Sequence, residues 1–247
     1  MKFYFDLLSQ PSRALYIFLK VTKTPVEFVK IDLKRLEHLT NEFKAVNRFQ
    51  KVPCIVDNGF KLSESVAIFR YLMQSNPNIS ENWYPKDAKS RALVDEFLEY
   101  QHIGVRYPCA IYFQTKWLLP TFSGKPPNEK KVREYENLMI KSLDTFENIW
   151  LASDQKEFLA TKEISFADIL ACCELEQPRM ADFDTFKDRP RLKKWHEKVK
   201  KETNPYYDEA HKNVYDIIQS KGKLSSKFDL VFIYRYLRYI KFKKFFE

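Results

Sequence analysis

The periodicity of apolar residues changes once along this chain, and the change constrains its fold more than any other feature. Up to about residue 76, short runs that alternate apolar and polar residues, such as 26–29, are separated by helical runs. A period of two predicts strands, and a period of 3.6 predicts helices. After Lys86 the patterns are helical. We therefore predict an α/β domain over residues 1–76, a linker over 77–86 and an all-α domain over 87–247.

The predicted order within the first domain is strand, helix, strand, a loop with room for a short helix, two strands and a final helix. Pro11 suits the first turn of the first helix, because it lacks the N–H group that would be left without a partner there. The run Asp57-Asn58-Gly59 is typical of a hairpin turn between the last two strands. Ser63 is the predicted cap of the final helix.

The usage of glycine and cysteine disfavours several classes of function. The chain has only 4 glycines and contains neither a GxGxxG nor a GxxxxGK[ST] string, which argues against dinucleotide and P-loop chemistry. Its four cysteines match neither CxxC nor the spacing of zinc ligands, so we expect no metal: Cys54, Cys109, Cys172 and Cys173. Such cysteines indicate a reducing compartment and predict a cytoplasmic protein.

Charge and hydropathy narrow the expected partners. The net charge of +9 is compatible with nucleic-acid binding, but we interpret it as a solvated basic surface and expect no nucleic acid. Asp6 and Arg13 interrupt the apolar N-terminal stretch, which therefore does not resemble a signal peptide. No run of 18 uncharged apolar residues is present, so we expect no membrane span.

Three polar segments of the first domain are the candidate functional residues. They are Ser9 before the first helix, the run Lys51-Val52-Pro53, and the run Ser63-Glu64-Ser65. A small α/β unit can bring them to one edge, where they offer a hydroxyl, a fixed X-Pro backbone and a carboxylate beside a helix N-terminus. That combination predicts a site that holds a short peptide and stabilises its thiolate.

Ser9 is better suited to donate a hydrogen bond than to act as a nucleophile. No GxSxG elbow is present, and the histidines show no triad spacing. Making a thiol of pKa about 8.5 mostly ionised at neutral pH needs a shift of ~2 units, or ~2.7 kcal/mol. A charge-assisted hydrogen bond supplies about 1.5–3 kcal/mol, and a helix N-terminus adds about 0.3–1 kcal/mol. One hydroxyl at a helix start is therefore sufficient.

The other two segments have a structural and a functional interpretation. Pro53 marks either an edge strand or a tight turn with a cis bond, and in the second case the Val52 backbone could pair with a bound peptide. Glu64 could simply favour the helix N-terminus through its charge. Alternatively, Glu64 and Ser65 hold the ammonium and the carboxylate of an amino-acid head group.

The sequence resembles a theta-class glutathione S-transferase, and an invertebrate one in particular. The resemblance is carried in the first domain by residues 6–14 (DLLSQPSRA), 38–39 (HL), 51–53 (KVP) and 62–68 (LSESVAI). It continues through residues 83–85 (WYP), 91–97 (RALVDEF) and 100–102 (YQH). Several strings fall in register between about Phe3 and Arg106, and the match is looser from there to His211.

This resemblance implies a thioredoxin-like N-terminal domain, an all-α C-terminal domain and a homodimer. It also implies that a glutathione thiolate attacks small hydrophobic electrophiles or peroxides, with Ser9 as the thiolate donor. The implied glutathione-binding residues are His38 and Lys51 for the glycyl carboxylate, Val52 and Pro53 for the cysteinyl backbone, and Glu64 and Ser65 for the γ-glutamyl group. Arg106 is implied to line the electrophile pocket, and Asp95 to reach the glutathione of the partner subunit.

Other functions remain as alternatives. A thiol-disulfide oxidoreductase would need a cysteine in the turn at residues 9–12, which reads SQPS. A non-catalytic carrier of glutathione or apolar ligands, or an assembly module, would use the same fold. The aromatic and basic tail beyond Lys221 is either a lid helix over the active site or a segment that docks on membrane or nucleic acid.

Overall fold

The computed structural model describes residues 1–153 and 156–219. The first part of the chain forms a four-stranded sheet. Its strands are β1 (Lys2–Phe5), β2 (Glu27–Lys30), β3 (Cys54–Asp57) and β4 (Phe60–Ser63), in the order β2-β1-β3-β4. Strands β1 and β2 are parallel, and the other two pairs are antiparallel. The parallel pair requires a crossover, which helix α1 (Gln10–Val21) supplies.

The order of elements in this part matches the prediction. Helix α2 (Asn41–Val46) follows a 3-10 turn at Glu37–Leu39, and α3 (Ser65–Ser75) follows β4. The predicted hairpin turns at Asn58 and Gly59, both of which have positive φ. The prediction that Ser63 caps α3 was wrong, because Ser63 ends β4. Glu64, with a φ of 72°, occupies the N-cap position and its side chain makes no capping hydrogen bond.

The rest of the described chain is helical, as predicted. After a 3-10 turn at Glu81–Trp83 it contains α4 (Ala88–Gln101), α5 (Tyr107–Phe113), α6 (Leu119–Ser123), α7 (Glu129–Thr145), α8 (Phe166–Met180), α9 (Pro190–Thr203) and α10 (Tyr206–Gln219). The sequence did not predict α5 and α6 as separate elements. The predicted lid helix beyond Lys221 lies outside the described residues. No helix in the described ranges is long and apolar enough to cross a membrane.

Three π-helical segments distinguish the observed helices from the predicted ones. His102–Arg106 extends α4, Gln114–Leu118 joins α5 to α6, and Phe146–Trp150 extends α7. A π-turn adds one residue to a helical turn, so a sequence pattern with period 3.6 does not reveal it. Within the first segment, the ring of Tyr100 fills the space that a Cβ on Gly104 would occupy. Only glycine permits that close approach.

Aromatic rings join the sheet-containing part to the helical part. Phe69 of α3 stacks on Phe166 of α8 with ring centroids 4.2 Å apart, and Phe18 of α1 meets both rings edge-on. All three side chains are fully buried. Each such burial stabilises the fold by on the order of 2 kcal/mol. The turn between β1 and α1 is therefore fixed relative to α8.

The start of α8 depends on a buried carboxylate. Asp168 accepts hydrogen bonds from the backbone N–H and the hydroxyl of Ser165, which completes a capping box at this helix start. It also accepts bonds from the Leu159 N–H and the Trp195 indole, both at 2.9 Å. Burial raises the pKa of Asp168, and these donors oppose the rise. One side chain therefore anchors α8, α9 and the preceding loop.

We expect Asp168→Ala to lower the free energy of unfolding by at least about 2 kcal/mol, because it removes a cap and leaves buried donors unpaired. The measurement is a urea denaturation curve. Asp87→Ala is the matched control, since Asp87 caps α4 from an exposed position through its bond to the Ser90 N–H. Equal losses in the two variants would contradict the anchoring role of Asp168.

Candidate functional site

The turn between β1 and α1 is held by the carboxylate of Asp6. This buried side chain accepts hydrogen bonds from the N–H of Leu8 at 2.8 Å and from the N–H of Leu33 at 2.9 Å. Its own carbonyl accepts a bond from the Ser9 N–H at 3.0 Å. Asp6 thus fixes two loops at once, the one that carries Ser9 and the one that leads to His38.

A buried arginine holds the same turn from the other side. The Arg13 guanidinium donates to the carbonyls of Leu7 at 2.9 Å and Leu8 at 3.2 Å. It also donates to the carbonyl of Cys173 in α8 at 3.1 Å. These bonds tie the turn to the helical part of the molecule.

Ser9 is the N-cap of α1, and its hydroxyl has two neighbours. The oxygen accepts a hydrogen bond from the Ser12 N–H at 3.4 Å, and the hydroxyl donates to the Val52 carbonyl at 3.3 Å. The Val52–Pro53 peptide bond is cis. Strand β3, which begins directly after Pro53, lies between β1 and β4, so the edge-strand interpretation of this proline was wrong. Two of the predicted segments therefore meet at Ser9.

A cavity of about 510 Å³ opens beside this contact. Four of the predicted site residues line it: Ser9, His38, Lys51 and Val52. The opposite wall comes from the helical part and is largely apolar, with Phe113, Trp117, Leu118, Met180 and Ile217. The first part also contributes apolar side chains, namely Leu8, Leu33, Leu36, Leu39 and Phe49. The site thus combines a group of polar residues beside a helix N-terminus with apolar surroundings from both parts of the chain.

His38 enters this cavity as a neutral side chain at neutral pH. Burial lowers the pKa of its imidazole, and the charge of Asp6 offsets only part of that effect. Its Nδ1 atom is buried and has no hydrogen-bond partner in the structure. Lys51 is exposed and supplies the positive charge on this side. The pair offers one neutral hydrogen-bonding group and one cation to an anionic ligand.

The structure does not bring Glu64 and Ser65 into the same cavity. Glu64 is exposed and lines a separate groove of about 460 Å³ together with Arg70 and His102. Ser65 is buried at the start of α3 and lines neither space. A ligand that used both regions would have to extend from the Ser9 cavity toward the N-terminus of α3.

Arg106 and Asp95 are already paired within the chain. Arg106 donates through Nε to Glu174 at 2.7 Å and does not line the 510 Å³ cavity. Asp95 accepts bonds from the Arg70 guanidinium and from the Tyr84 hydroxyl. Neither contact was predicted, since each partner is distant in sequence.

The helix that closes the far side of the cavity is held by a second buried carboxylate. Glu176 accepts hydrogen bonds from Arg179, from His196 at 3.1 Å and from the Tyr207 hydroxyl of α10 at 3.0 Å. Burial acts to raise the pKa of Glu176, but the hydrogen bond from His196 and the nearby charges outweigh it and lower the pKa to about 2. These hydrogen bonds hold α10 against α8, and α10 carries Ile217 in the wall of the cavity.

Two family models match the chain. One, described as the N-terminal domain of glutathione S-transferase, covers residues 3–74, and the other, the C-terminal domain of the same family, covers residues 111–202. The chain belongs to the glutathione S-transferase family. Glutathione S-transferase T1 of Arabidopsis thaliana is 39% identical over 224 residues, which cover 88% of this chain and 90% of that protein. Glutathione S-transferase theta-1 of Bos taurus is 38% identical over 85% of this chain and 87% of that protein.

A solved structure agrees with this assignment. The apo form of human glutathione S-transferase T1-1 superposes with a TM-score of 0.86 at 34% identity, covering 97% of each chain. The theta class inferred from the sequence is thereby confirmed. The narrower inference of an invertebrate theta-class member is not borne out: the two relatives above come from Arabidopsis thaliana and Bos taurus, and the superposed structure is human. A delta-class structure from the insect Nilaparvata lugens is only 26% identical.

The cavity also contains residues to which no sequence motif pointed. Gln10 lines the cavity beside Ser9 and donates to Glu174 at 3.2 Å. Gln177 lines it from α8. Glutamines carry no distinctive sequence signal, and only the position of Gln10 directly after Ser9 could have pointed to it. Among the described residues, no cluster of three or more His, Cys, Asp or Glu side chains could hold a metal ion.

Proposed function

We propose that this glutathione S-transferase binds glutathione along the polar side of the 510 Å³ cavity, where Ser9 stabilises the thiolate for attack on an electrophile in the apolar part. The position of the Ser9 hydroxyl carries the proposal. It stands at the N-terminus of α1 and reaches the Val52 carbonyl, next to a cavity with an apolar far wall. A bound cysteine residue requires both groups: a hydroxyl that donates to its sulfur and a carbonyl that accepts from its backbone N–H.

Ionisation of the thiol is the step to which Ser9 contributes. When glutathione binds, its cysteinyl N–H takes the place of the Ser9 hydroxyl at the Val52 carbonyl. The freed hydroxyl then donates to the sulfur, while the N–H groups of α1 favour the negative charge. The thiol proton leaves to solvent. The thiolate attacks the electrophilic carbon, a C–S bond forms, and the leaving group departs with its electron pair.

The remaining glutathione contacts follow the shape of the site. Lys51 and neutral His38 bind the glycyl carboxylate, one by charge and the other by a hydrogen bond. Glu64 and Ser65 bind the γ-glutamyl group at the start of α3, outside the cavity. The separate groove at Glu64 supports this arrangement, because the peptide then spans from the sulfur site to α3.

Small hydrophobic electrophiles are the proposed second substrates. The apolar wall supports this class, and a solved human theta-class enzyme, 33% identical over 89% of each chain with a TM-score of 0.82, is in complex with the glutathione conjugate of 1-menaphthyl sulfate. All four cysteines are buried and free, which supports the proposed cytoplasmic location. A carrier that binds glutathione without lowering its thiol pKa is the second candidate function.

We expect Ser9→Ala to fold normally, to raise the thiol pKa of bound glutathione by ~1–2 units and to lower kcat at least about tenfold at neutral pH. Ultraviolet absorbance of the thiolate, followed as a function of pH, measures the pKa. Asn128→Ala, which removes the N-cap of α7, controls for the loss of a helix cap. A normal, unshifted thiol pKa in the wild type would instead identify a carrier.

We expect Glu64→Ala to raise the Kd for glutathione about tenfold without changing the pKa of the bound thiol, because the lost charge contact is remote from the sulfur. Calorimetry gives the Kd and the absorbance titration gives the pKa. Glu99→Ala removes another carboxylate from the same groove and should leave the Kd within about twofold. A shifted pKa in Glu64→Ala would mean that Glu64 acts on the sulfur.

A homodimer formed through the face of α3 and α4 is also proposed. Ile103, which is 80% exposed, and Tyr107 lie on the surface next to the groove that Glu64, Arg70 and His102 line. Burying exposed apolar residues is the usual drive for such an association. Asp95 and its partner Arg70 lie at the same face, which supports the proposed approach of Asp95 to the second subunit's glutathione.

We expect Ile103→Lys to convert the dimer to a monomer, because it places a charge in the buried contact. Sedimentation equilibrium measures the change in mass. Ile149→Lys is the matched control: Ile149 is 69% exposed, lies in the π-helical segment after α7 and should leave the dimer intact. A wild-type protein that sediments as a monomer at all concentrations would refute the proposed dimer.

A further inference from the structure

A buried carboxylate of α8 lies one hydrogen bond away from a residue that lines the cavity beside Ser9. Glu174 is fully buried and accepts a hydrogen bond from the side-chain amide of Gln10 at 3.2 Å. Gln10 follows Ser9 directly, is the first residue of α1 and lines the 510 Å³ cavity. Glu174 therefore fixes one side chain of the cavity, and it also brings a negative charge to the helix N-terminus where the thiolate is proposed to form.

That negative charge opposes the chemistry proposed for the site. A carboxylate raises the pKa of a neighbouring acid because like charges repel, and the repulsion is stronger where water is excluded. A glutathione thiolate beside Ser9 would meet this repulsion if Glu174 had no cationic partner. A buried carboxylate without such a partner would also destabilise the fold. Both the fold and the thiolate therefore require a cation at Glu174.

Arg106 supplies this cation. Its Nε atom donates to Glu174 at 2.7 Å, and it uses the carboxylate oxygen that Gln10 does not contact. Arg106 ends the π-helical segment that extends α4, so the ion pair joins this segment to α8. Arg106 does not line the 510 Å³ cavity, whereas Gln10 does. The contacts that lead from the Arg106 guanidinium to the cavity therefore pass through Glu174.

The other charged and titratable groups near Glu174 do not take the place of Arg106. The thiols of Cys109 in α5 and Cys173 in α8 are buried, which raises the pKa of both, so they are uncharged at neutral pH. The Arg13 guanidinium acts on Cys173 together with Glu174, but the hydrogen bonds that it makes go to backbone carbonyls. Removing the charge of either Glu174 or Arg106 would thus leave the other charge unbalanced behind the turn.

We propose that Arg106 and Glu174 form a charge-balanced pair in which Glu174 positions Gln10 in the cavity, and Arg106 cancels the negative charge that would otherwise disfavour the glutathione thiolate. The inference rests on the proposed function and adds two positioning residues to it. It also gives Arg106 a role that differs from the one implied by the family resemblance. Arg106 acts through Glu174 and needs no contact with the electrophile.

Variants that remove one charge at a time test the pair. The pKa of the thiol of bound glutathione is measured from the ultraviolet absorbance of the thiolate as a function of pH. We expect Glu174→Gln, which keeps the shape of the side chain, to lower this pKa by at least about half a unit, because the Arg106 charge is then unbalanced. Arg106→Met should raise it by about the same amount, because the Glu174 charge is then unbalanced.

Two further variants restore the balance of charge. The double variant Arg106→Met with Glu174→Gln removes both charges and should return the thiol pKa to within about 0.2 units of the wild-type value. Arg106→Lys keeps the positive charge and should have the same effect. A residue that served the fold alone would not give this return, because two structural losses add to each other or leave the thiol unaffected.

Arg189→Met is the matched control for the loss of a guanidinium from an ion pair. The Arg189 side chain is 10% exposed and donates to Asp144 at 2.8 Å, and neither residue lines the cavity. Like Arg106→Met, this variant should lower the melting temperature, because the remaining side chains lose their hydrogen bonds. Unlike Arg106→Met, it should leave the thiol pKa of bound glutathione unchanged.

The outcomes separate this inference from the proposed function. Shifts of opposite sign in the two single variants support the pair, since damage to the fold would move both in the same direction. A thiol pKa that Glu174→Gln leaves unchanged or raises would overturn the inference, whether or not Arg106→Met folds, and would leave the transferase intact. If bound glutathione keeps its ordinary thiol pKa in the wild type, the proposed function fails and the inference fails with it.

Discussion

The buried guanidinium of Arg13 is the interaction on which the rest of the site depends. It donates to the Leu7 and Leu8 carbonyls of the turn and to the Cys173 carbonyl of α8, so one side chain fixes the Ser9 turn and joins it to the helical part. Burying a charge is costly unless it is well hydrogen-bonded. The three carbonyls pair both terminal nitrogens of the guanidinium, while its buried Nε has no partner. A rigid turn holds the hydroxyl in place before the ligand binds. No free energy is then lost in ordering the hydroxyl when it stabilises a thiolate.

Asp6 extends this rigidity into the sheet-containing part. Its carboxylate binds the Leu8 and Leu33 N–H groups, and its charge partly opposes the burial that lowers the pKa of His38. Asp6 and Arg13 therefore hold the same turn through different groups. Asp6 accepts a hydrogen bond from a backbone N–H of the turn, and Arg13 donates to two of its carbonyls. Of Lys51 and His38, Lys51 is the one that offers a positive charge in the cavity, because His38 is neutral at neutral pH.

The sequence was sufficient for local structure and insufficient for contacts between distant segments. The order of elements in the first part and the helical second part followed from the period and the turn residues, and the cis-prone proline pointed to a turn at Val52. The pairing of Arg106 with Glu174, and the separation of Glu64 from the cavity, did not follow. Those positions are set by how α3, α4 and α8 pack, and packing depends on many weak contacts that no single motif records. The π-helical segments were not predicted for a related reason, since a turn with one extra residue leaves the apolar pattern almost unchanged.

The buried polar side chains that line the cavity are of two kinds, those with a hydrogen-bond partner in the fold and those without one. Gln10 is held by Glu174, so it is fixed by the fold and contributes shape. His38 Nδ1 and Gln177 Oε1 are buried without partners. A folded chain loses free energy at each such atom, and the loss is tolerated where the residue serves a ligand. Both residues line the same cavity, His38 from the sheet-containing part and Gln177 from α8. Buried atoms without partners also occur on residues that do not line this cavity, such as both amide atoms of Gln101, so an unpaired atom points to a ligand only where its residue also borders an open space.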